Sequence, residues 1–437
     1  MPEGKAILLQ RAMALHLEER HAESEALYRK TISEYPDSPE PRHYLGFLLM
    51  QQGKLEESLE FLSESLRLDD SKAEWHYNHG ILLSRLDRKE EAIESFLNSL
   101  KLDSANYFGW TNLGSLFEEA GEPDQAEKAY LAASRIDPEC PDAYYLLSSL
   151  LASQERFEEA KYFNCKGFIK DPAKDKPRIR LAVAHFEIGM KSDAIAIMEN
   201  WLADDPENPV PSHMLTAFRG NDVPERCSDR YLEATFDHFA ASFDSHLEKL
   251  KYRGPELLEK ELLLLDRHRM EILDMGCGTG LNGMILKPFS ASLTGVDISA
   301  AMLEKARERN CYDLLVKSEM GQFLQKEKDR FDLVACMDTL IYFGNLEPVL
   351  KGVFSSLRAS GIFIFTTEKC ESGTEYDLDI SGRYRHSQSY LSGLIEAIGF
   401  ETASSRDAVI RYESGRPVMG QICRVLKRGS IDVQSVP

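Results

Sequence analysis

Small residues recur in phase along the first two hundred positions of the chain, at a spacing of 34. Counting from Lys5, Pro39, Ala73, Tyr107, Pro141 and Asp175, the eighth position of each unit reads Ala12, Gly46, Gly80, Gly114, Ser148 and Ala182. The twentieth reads Ser24, Ser58, Ala92, Ala126, Ala160 and Ala194. Side chains this short, one set in each half of the unit, predict a hairpin of two helices that touch. Position 32 holds Pro36, Asp70, Ser104, Pro138, Pro172 and Pro206, so most units end on a helix breaker. Past Arg269 the rhythm changes. Short apolar, β-branched runs (Glu271–Met275, Ser292–Asp297, Leu314–Ser318, Arg330–Asp338 and Gly361–Glu368) alternate with helical spacing such as Leu346, Val349, Leu350, Val353 and Leu357. That alternation predicts an α/β, doubly wound sheet with right-handed crossovers and helices on both faces. Residues 388–399 read as a further helix, and 407–412 and 418–427 as closing strands.

A spacing of 34 is the tetratricopeptide (TPR) period. The clearest copy is Trp110, Leu113, Gly114, Phe117, Gly121, Ala126, Tyr130, Ala133 and Pro138. Six TPR repeats over 5–208 would stack into an α-solenoid with a concave binding face. Residues 209–230 read as a capping helix over Ser212–Phe218 and a linker, with a hinge at 219–230. The second domain then occupies 231–427, and 428–437 form a flexible tail. At the start of that domain Phe236, Phe239, Ala240 and Phe243 share one face of a helix.

The most informative motif is Asp274-Met-Gly-Cys-Gly-Thr-Gly280, a strand running into a glycine loop that opens a helix. Glycines 276, 278 and 280 remove Cβ atoms where the backbone must turn and a ligand must approach. Asp297 falls at the carboxyl end of the next strand, where open α/β sheets bind ligands and where a carboxylate can accept both hydroxyls of a ribose. A dinucleotide fingerprint would need glycine or alanine at the position of Leu281, and a phosphate loop would need Gly-Lys-Ser/Thr after Gly280. A glycine-rich turn with no ligand is the bland alternative.

Over residues 231–427 these motifs resemble the class I S-adenosylmethionine (SAM)-dependent methyltransferases. The resemblance implies that Asp274, Gly276, Cys277, Gly278, Thr279 and Gly280 hold the methionine part of SAM, Asp297 and Ile298 the ribose, and Glu319 and Met320 the adenine. The family more often has aspartate where Glu319 stands. Substrate and sulfonium would lie near Asp338 and Tyr342. The run from Tyr231 through Leu250-Lys-Tyr-Arg-Gly-Pro255 looks like a bacterial group of TPR-containing methyltransferases. The resemblance implies a lid for the aromatic helix after the linker, which by its periodicity alone reads equally as a helix packed on the core. Methyl transfer asks for positioning above all, with a base only where the nucleophile is protonated. The base candidates are Asp338 and His386, and Arg383, Tyr384 and Arg385 in the same loop as His386 are candidates for binding an acidic substrate group. The expected activity is methyl transfer from SAM to a small molecule or protein, with the repeats recruiting substrate or partner. The alternatives are an interaction scaffold with an inactive methyltransferase-like domain, or a nucleotide-dependent enzyme.

Charge narrows the partners. Residues 247–437 carry 25 Lys+Arg and 27 Asp+Glu, which leaves 27 and 45 of the chain's 52 and 72 to residues 1–246. Net charge is therefore near −18 in the first part and −2 in the second. An acidic solenoid repels phosphate backbones, so nucleic acid is not expected, whereas a basic or neutral peptide on the concave face is. Met337-Asp-Thr-Leu340 also lacks the Asn/Asp-Pro-Pro-Tyr/Phe run common in nucleic-acid and amide-nitrogen methyltransferases. The eight cysteines form no C-x-x-C pair and read as reduced, no His/Cys cluster has metal-ligand spacing, and no apolar run approaches a membrane span. The expectation is a cytoplasmic protein without metal.

Overall fold

The computed structural model describes residues 2–428 except 174, 372 and 414. The expected tail at 428–437 thus lies, apart from Arg428, outside the described residues. The chain divides into two compact units, Met1–Ala173 and Lys174–Pro437.

The first unit is an α-solenoid of five helix pairs. They are Pro2–Leu17 with His21–Glu34, Pro39–Gln51 with Leu55–Leu68, Ala73–Arg85 with Lys89–Leu102, Tyr107–Glu119 with Pro123–Ile136, and Asp142–Ser153 with Phe157–Lys170. The small residues do what their spacing predicts. A Cβ on Gly114 would stand 2.4 Å from the Tyr130 ring, and one on Gly46 2.8 Å from Leu62. Ser24 Oγ donates to Ala12 O at 2.8 Å and Ser58 Oγ to Gly46 O at 2.7 Å, so in two pairs the contact also satisfies a buried hydroxyl. Close approach lets Tyr28, Phe96 and Tyr130 bury fully, each worth roughly 1.5–3 kcal/mol of apolar transfer. A second regularity lies in the turn between paired helices. Position 15 of every repeat is left-handed, as Glu19, Gly53, Asp87, Gly121, Glu155 and Gly189.

In the second unit, the sixth pair (Arg178–Glu187 and Lys191–Asp204) and the expected capping helix (Pro209–Arg219) join the α/β domain. This moves the expected boundary at 208. The capping helix explains why: Met214, Leu215 and Phe218 pack on Ala182, Ala194 and Met198 of the sixth pair, while Ala217 packs with Cys227, Tyr231 and Leu232. The expected hinge at 219–230 is instead tied down. Cys227 N donates to Tyr342 O at 2.9 Å, Gly344 N to Glu225 O at 2.8 Å, and Tyr384 Oη to Pro224 O at 2.8 Å.

The sheet comprises β1 (Met270–Met275), β2 (Ser290–Asp297), β3 (Leu314–Lys317), β4 (Phe331–Cys336), β5 (Leu357–Lys369), β6 (Tyr376–Leu378), β7 (Tyr384–His386), β8 (Phe400–Glu413) and β9 (Arg416–Lys427). Strands β3-β2-β1-β4-β5 are parallel, β9 runs antiparallel to β5, and β8 antiparallel to β9. Alternate residues feed two cores. Leu273, Val334 and Phe363 join the helices Glu347–Ser356 and Gln388–Ile398 on one face, while Ile272, Leu333 and Ile362 meet Gly254–Leu262 and Leu281–Leu286 on the other. The β6–β7 hairpin is an addition that the alternation did not show. Glu368 already pairs with Gly420 of β9, so its pairing with Arg385 of β7 falls on β4's edge of β5, beyond the last β4 partner at Phe365. Among the described residues no helix is long and apolar enough to cross a membrane.

Candidate active site

A cavity of about 330 Å³ opens at the carboxyl ends of β1, β2 and β4. Its floor is the glycine loop. Gly276 N and Cys277 N both donate to Val296 O, at 2.9 and 3.1 Å, which ties the loop to β2. Gly276 (φ +71°) and Gly278 (φ +52°) differ in what surrounds them. A Cβ on Gly276 would meet Thr339 at 2.4 Å, whereas nothing stands closer to one on Gly278 than the Phe243 ring at 3.9 Å. The first glycine permits packing, and the second leaves bare backbone facing space.

Asp297 stands beside that backbone. Its carboxylate accepts from Gly278 N at 2.8 Å and Ser299 N at 2.9 Å, which fixes its orientation and leaves further lone pairs for donors in the cavity. Burial pushes this carboxyl up, with the backbone N–H groups opposing. Ile298, Glu319 and Met320 line the wall next to it. Glu319 caps the following short helix by accepting from Gln322 N at 2.8 Å. The expected residues Gly276, Cys277, Gly278, Thr279, Asp297, Ile298, Glu319 and Met320 therefore come together around one space.

Asp274 and Gly280 do not line it. Asp274 is fully buried beneath the loop, where Oδ2 accepts from Tyr312 Oη at 2.6 Å and Oδ1 has no partner among the described residues. Burial pushes its carboxyl up to about 7. Gly280 packs its Cα side on Tyr312, Arg309 and Ala306. Both support the loop from behind.

Asp338, Tyr342 and Arg383 line the cavity as expected; His386, Tyr384 and Arg385 do not. The latter three were expected in a loop, but they form β7, whose alternation turns Tyr384 and His386 into the core and Arg385 to the opposite face. His386 Nε2 donates to Phe343 O at 2.8 Å, and burial draws the imidazole down to about 4. It is a buried structural residue, which removes it as a base facing the substrate. Tyr384 holds Pro224 O, and Arg385 is engaged by Asp377 through two contacts of 2.9 Å.

Three features escaped the sequence reading. Arg411, on β8, is buried and donates to Asp338 at 2.8 and 3.1 Å, to Glu413 at 2.8 Å and to Glu368. A lone cation in the apolar run Ala408-Val-Ile-Arg411 was the available signal. Asp338 itself is left-handed (φ +53°), an uncommon backbone for a non-glycine residue and one that occurs at functional sites. Finally, the aromatic helix Asp229–Phe239 and its successor Phe243–Lys249 are clasped over the cavity by carboxylates. Asp237 accepts from Ser299 Oγ at 2.5 Å and Asp244 from Thr279 Oγ1 at 2.5 Å.

Comparison with known proteins agrees with this architecture. A profile described as a methyltransferase domain matches residues 266–414, and tetratricopeptide-repeat profiles match 15–78, 73–106 and 111–164. The chain is thus a tetratricopeptide-repeat protein that carries a methyltransferase domain. Its curated relatives include a malonyl-[acyl-carrier protein] O-methyltransferase of Priestia megaterium, 25% identical over 37% of this chain and 63% of the relative. Another is a ubiquinone biosynthesis O-methyltransferase of Coxiella burnetii, 28% identical over 27% of this chain and 49% of its own. The chain therefore spans between about half and 63% of the length of these relatives. Among solved structures, that of the MamA protein is similar at 22% identity and a TM-score of 0.38, over 40% of this chain and 100% of its own.

Proposed function

We propose that this protein is a SAM-dependent methyltransferase that acts, in the cytoplasm, on a small molecule or a protein, with its repeats recruiting substrate or partner. The observation that carries the reading is the pairing of open backbone at Gly278 with the Asp297 carboxylate held beside it. The residues fit the cofactor. Asp297 has lone pairs for a ribose diol, Ile298 and Met320 supply apolar walls for a planar base, and Glu319 offers an acceptor next to them. Bound SAM supplies a methyl group on a positively charged sulfonium. The chain's own contribution is to hold an acceptor in line near Asp338, to exclude water with the Phe236, Phe239 and Phe243 helices, and to leave Asp338 as the carboxylate able to take a proton. The acidic repeats suit a basic or neutral peptide partner.

Isothermal titration of the full chain with SAM and, separately, with NAD tests this. A heat with SAM alone, abolished in Asp297→Ala, is expected. Heat with NAD alone would make the protein a nucleotide enzyme, and no heat with either would leave an interaction scaffold.

A further inference from the structure

The cavity wall around Asp338 is built from charges that the cofactor reading does not use. Two guanidinium groups line it, those of Arg383 and Arg411. Neither has charge to spare. Arg411 is shared among Asp338, Glu368 and Glu413, while Arg383 donates to the same Glu413 and stands 3.1 Å from Glu368. Three carboxylates thus surround two cations, a surplus of one negative charge. Burial draws the Glu368 carboxyl up. For Glu413 burial acts the same way but is outweighed by Arg383 and Arg411, which hold it down. With its carboxylates ionised the cluster therefore carries one net negative charge.

Aromatic rings also stand along this cavity. The Tyr342 ring meets Phe236 edge-on at 5.4 Å, and Phe236 meets Phe243 at 6.1 Å. Tyr252 adds a further ring to the lining. Aromatic faces attract cations, and a desolvated carboxylate forms strong bonds with N–H donors. An acidic ligand would instead add like charge to a low-dielectric site whose cations are already neutralised.

We propose that this half of the cavity recognises an amine on an apolar body, with the Asp338 carboxylate accepting its N–H and the aromatic rings facing its charge. This rests on the methyltransferase reading and replaces the acidic substrate group expected for Arg383. Asp338 becomes the specificity-determining residue. Its left-handed backbone, the Asp338 N–H donated to Thr366 Oγ1 at 2.7 Å, and the two bonds from Arg411 hold its carboxylate in one orientation.

The test is a binding titration of the full chain with phenethylamine and with hydrocinnamate, which share an apolar body and differ in charge. SAM is titrated into the same preparation. The amine is expected to bind at least about tenfold more tightly, and Asp338→Asn to remove most of that preference. Phe236→Leu, which leaves the buried charges alone, is expected to weaken the amine several-fold with melting unchanged. Equal or tighter binding of the acid, or no binding of either, overturns the proposal while a SAM heat leaves the enzyme reading intact. Amine preference without a SAM heat would sink the cofactor reading and, with it, the amine as a methyl acceptor.

Discussion

Glycine does opposite work in the two units. In the repeats, Gly46, Gly80 and Gly114 lie against Leu62, Phe96 and Tyr130, with no room for a Cβ. In the loop after β1, Gly278 faces open space bounded by Phe243 at 3.9 Å. A glycine recurring at position eight therefore reports packing between helices and one recurring at position 15 a left-handed turn, whereas Gly278, beside a strand-end carboxylate, reports room for a ligand. Charge differs as well, although the repeats also bury Arg42 beside Glu64. Exposed pairs such as Arg20 with Glu23 decorate the solenoid, while the second unit buries Arg411 among three carboxylates at its cavity. Burying charge is expensive unless the geometry is good, so such a cluster points to function more than to stability.

Substitutions can break or sharpen this comparison. The largest effect is expected from Gly114→Val, which drives side-chain atoms into the Tyr130 ring and should cost about 3 kcal/mol of stability in denaturant unfolding. A gain or no change would mean that the repeat glycines are not packing positions.

Next comes the pH response of Asp274. Its raised carboxyl favours the protonated form in the fold, so its stabilising contribution is full below the unfolded value of about 3.9. That contribution is lost as pH climbs through about 7. Thermal melts between about pH 5 and 8 should show Asp274→Asn flattening that decline by at least ~1.4 kcal/mol, the worth of one pK unit. An unchanged slope would place the titrating group elsewhere.

Gly278→Ala should cost only about 1 kcal/mol of folding stability, from its left-handed backbone, yet weaken SAM more than about tenfold by filling the cradle. The reverse pattern, a large fold defect with cofactor affinity kept, would make this glycine equivalent to those of the repeats. The smallest effect is expected for Glu155→Gly, which relieves a left-handed non-glycine turn and should stabilise by roughly 0.5 kcal/mol in the same unfolding assay.

Much of this was legible in the sequence because periodicity and strand-end position are local properties. The six repeats, the helix at 212–218 and the parallel strands followed from spacing, the loop glycines and Asp297 from where strands stop, and Ile298, Glu319 and Met320 from the family resemblance. What failed was set by long-range pairing. Residues 383–386 carry no strand pattern of sufficient length, so only their pairing with Glu368 and Lys369 reveals a strand, and with it the burial of His386. Arg411 lies 73 residues from Asp338, and no local signal joins a cation on one strand to a carboxylate at the end of another. The domain boundary moved for a similar reason, since the apolar face of the helix Pro209–Arg219 serves the sixth repeat and the α/β domain alike.

The most direct measurement is a crystal structure of the full chain grown with SAM. The account predicts the cofactor lying along the main chain of Gly276–Gly278, with both ribose hydroxyls on the Asp297 carboxylate. An empty cleft, or SAM bound without touching Asp297, would contradict it.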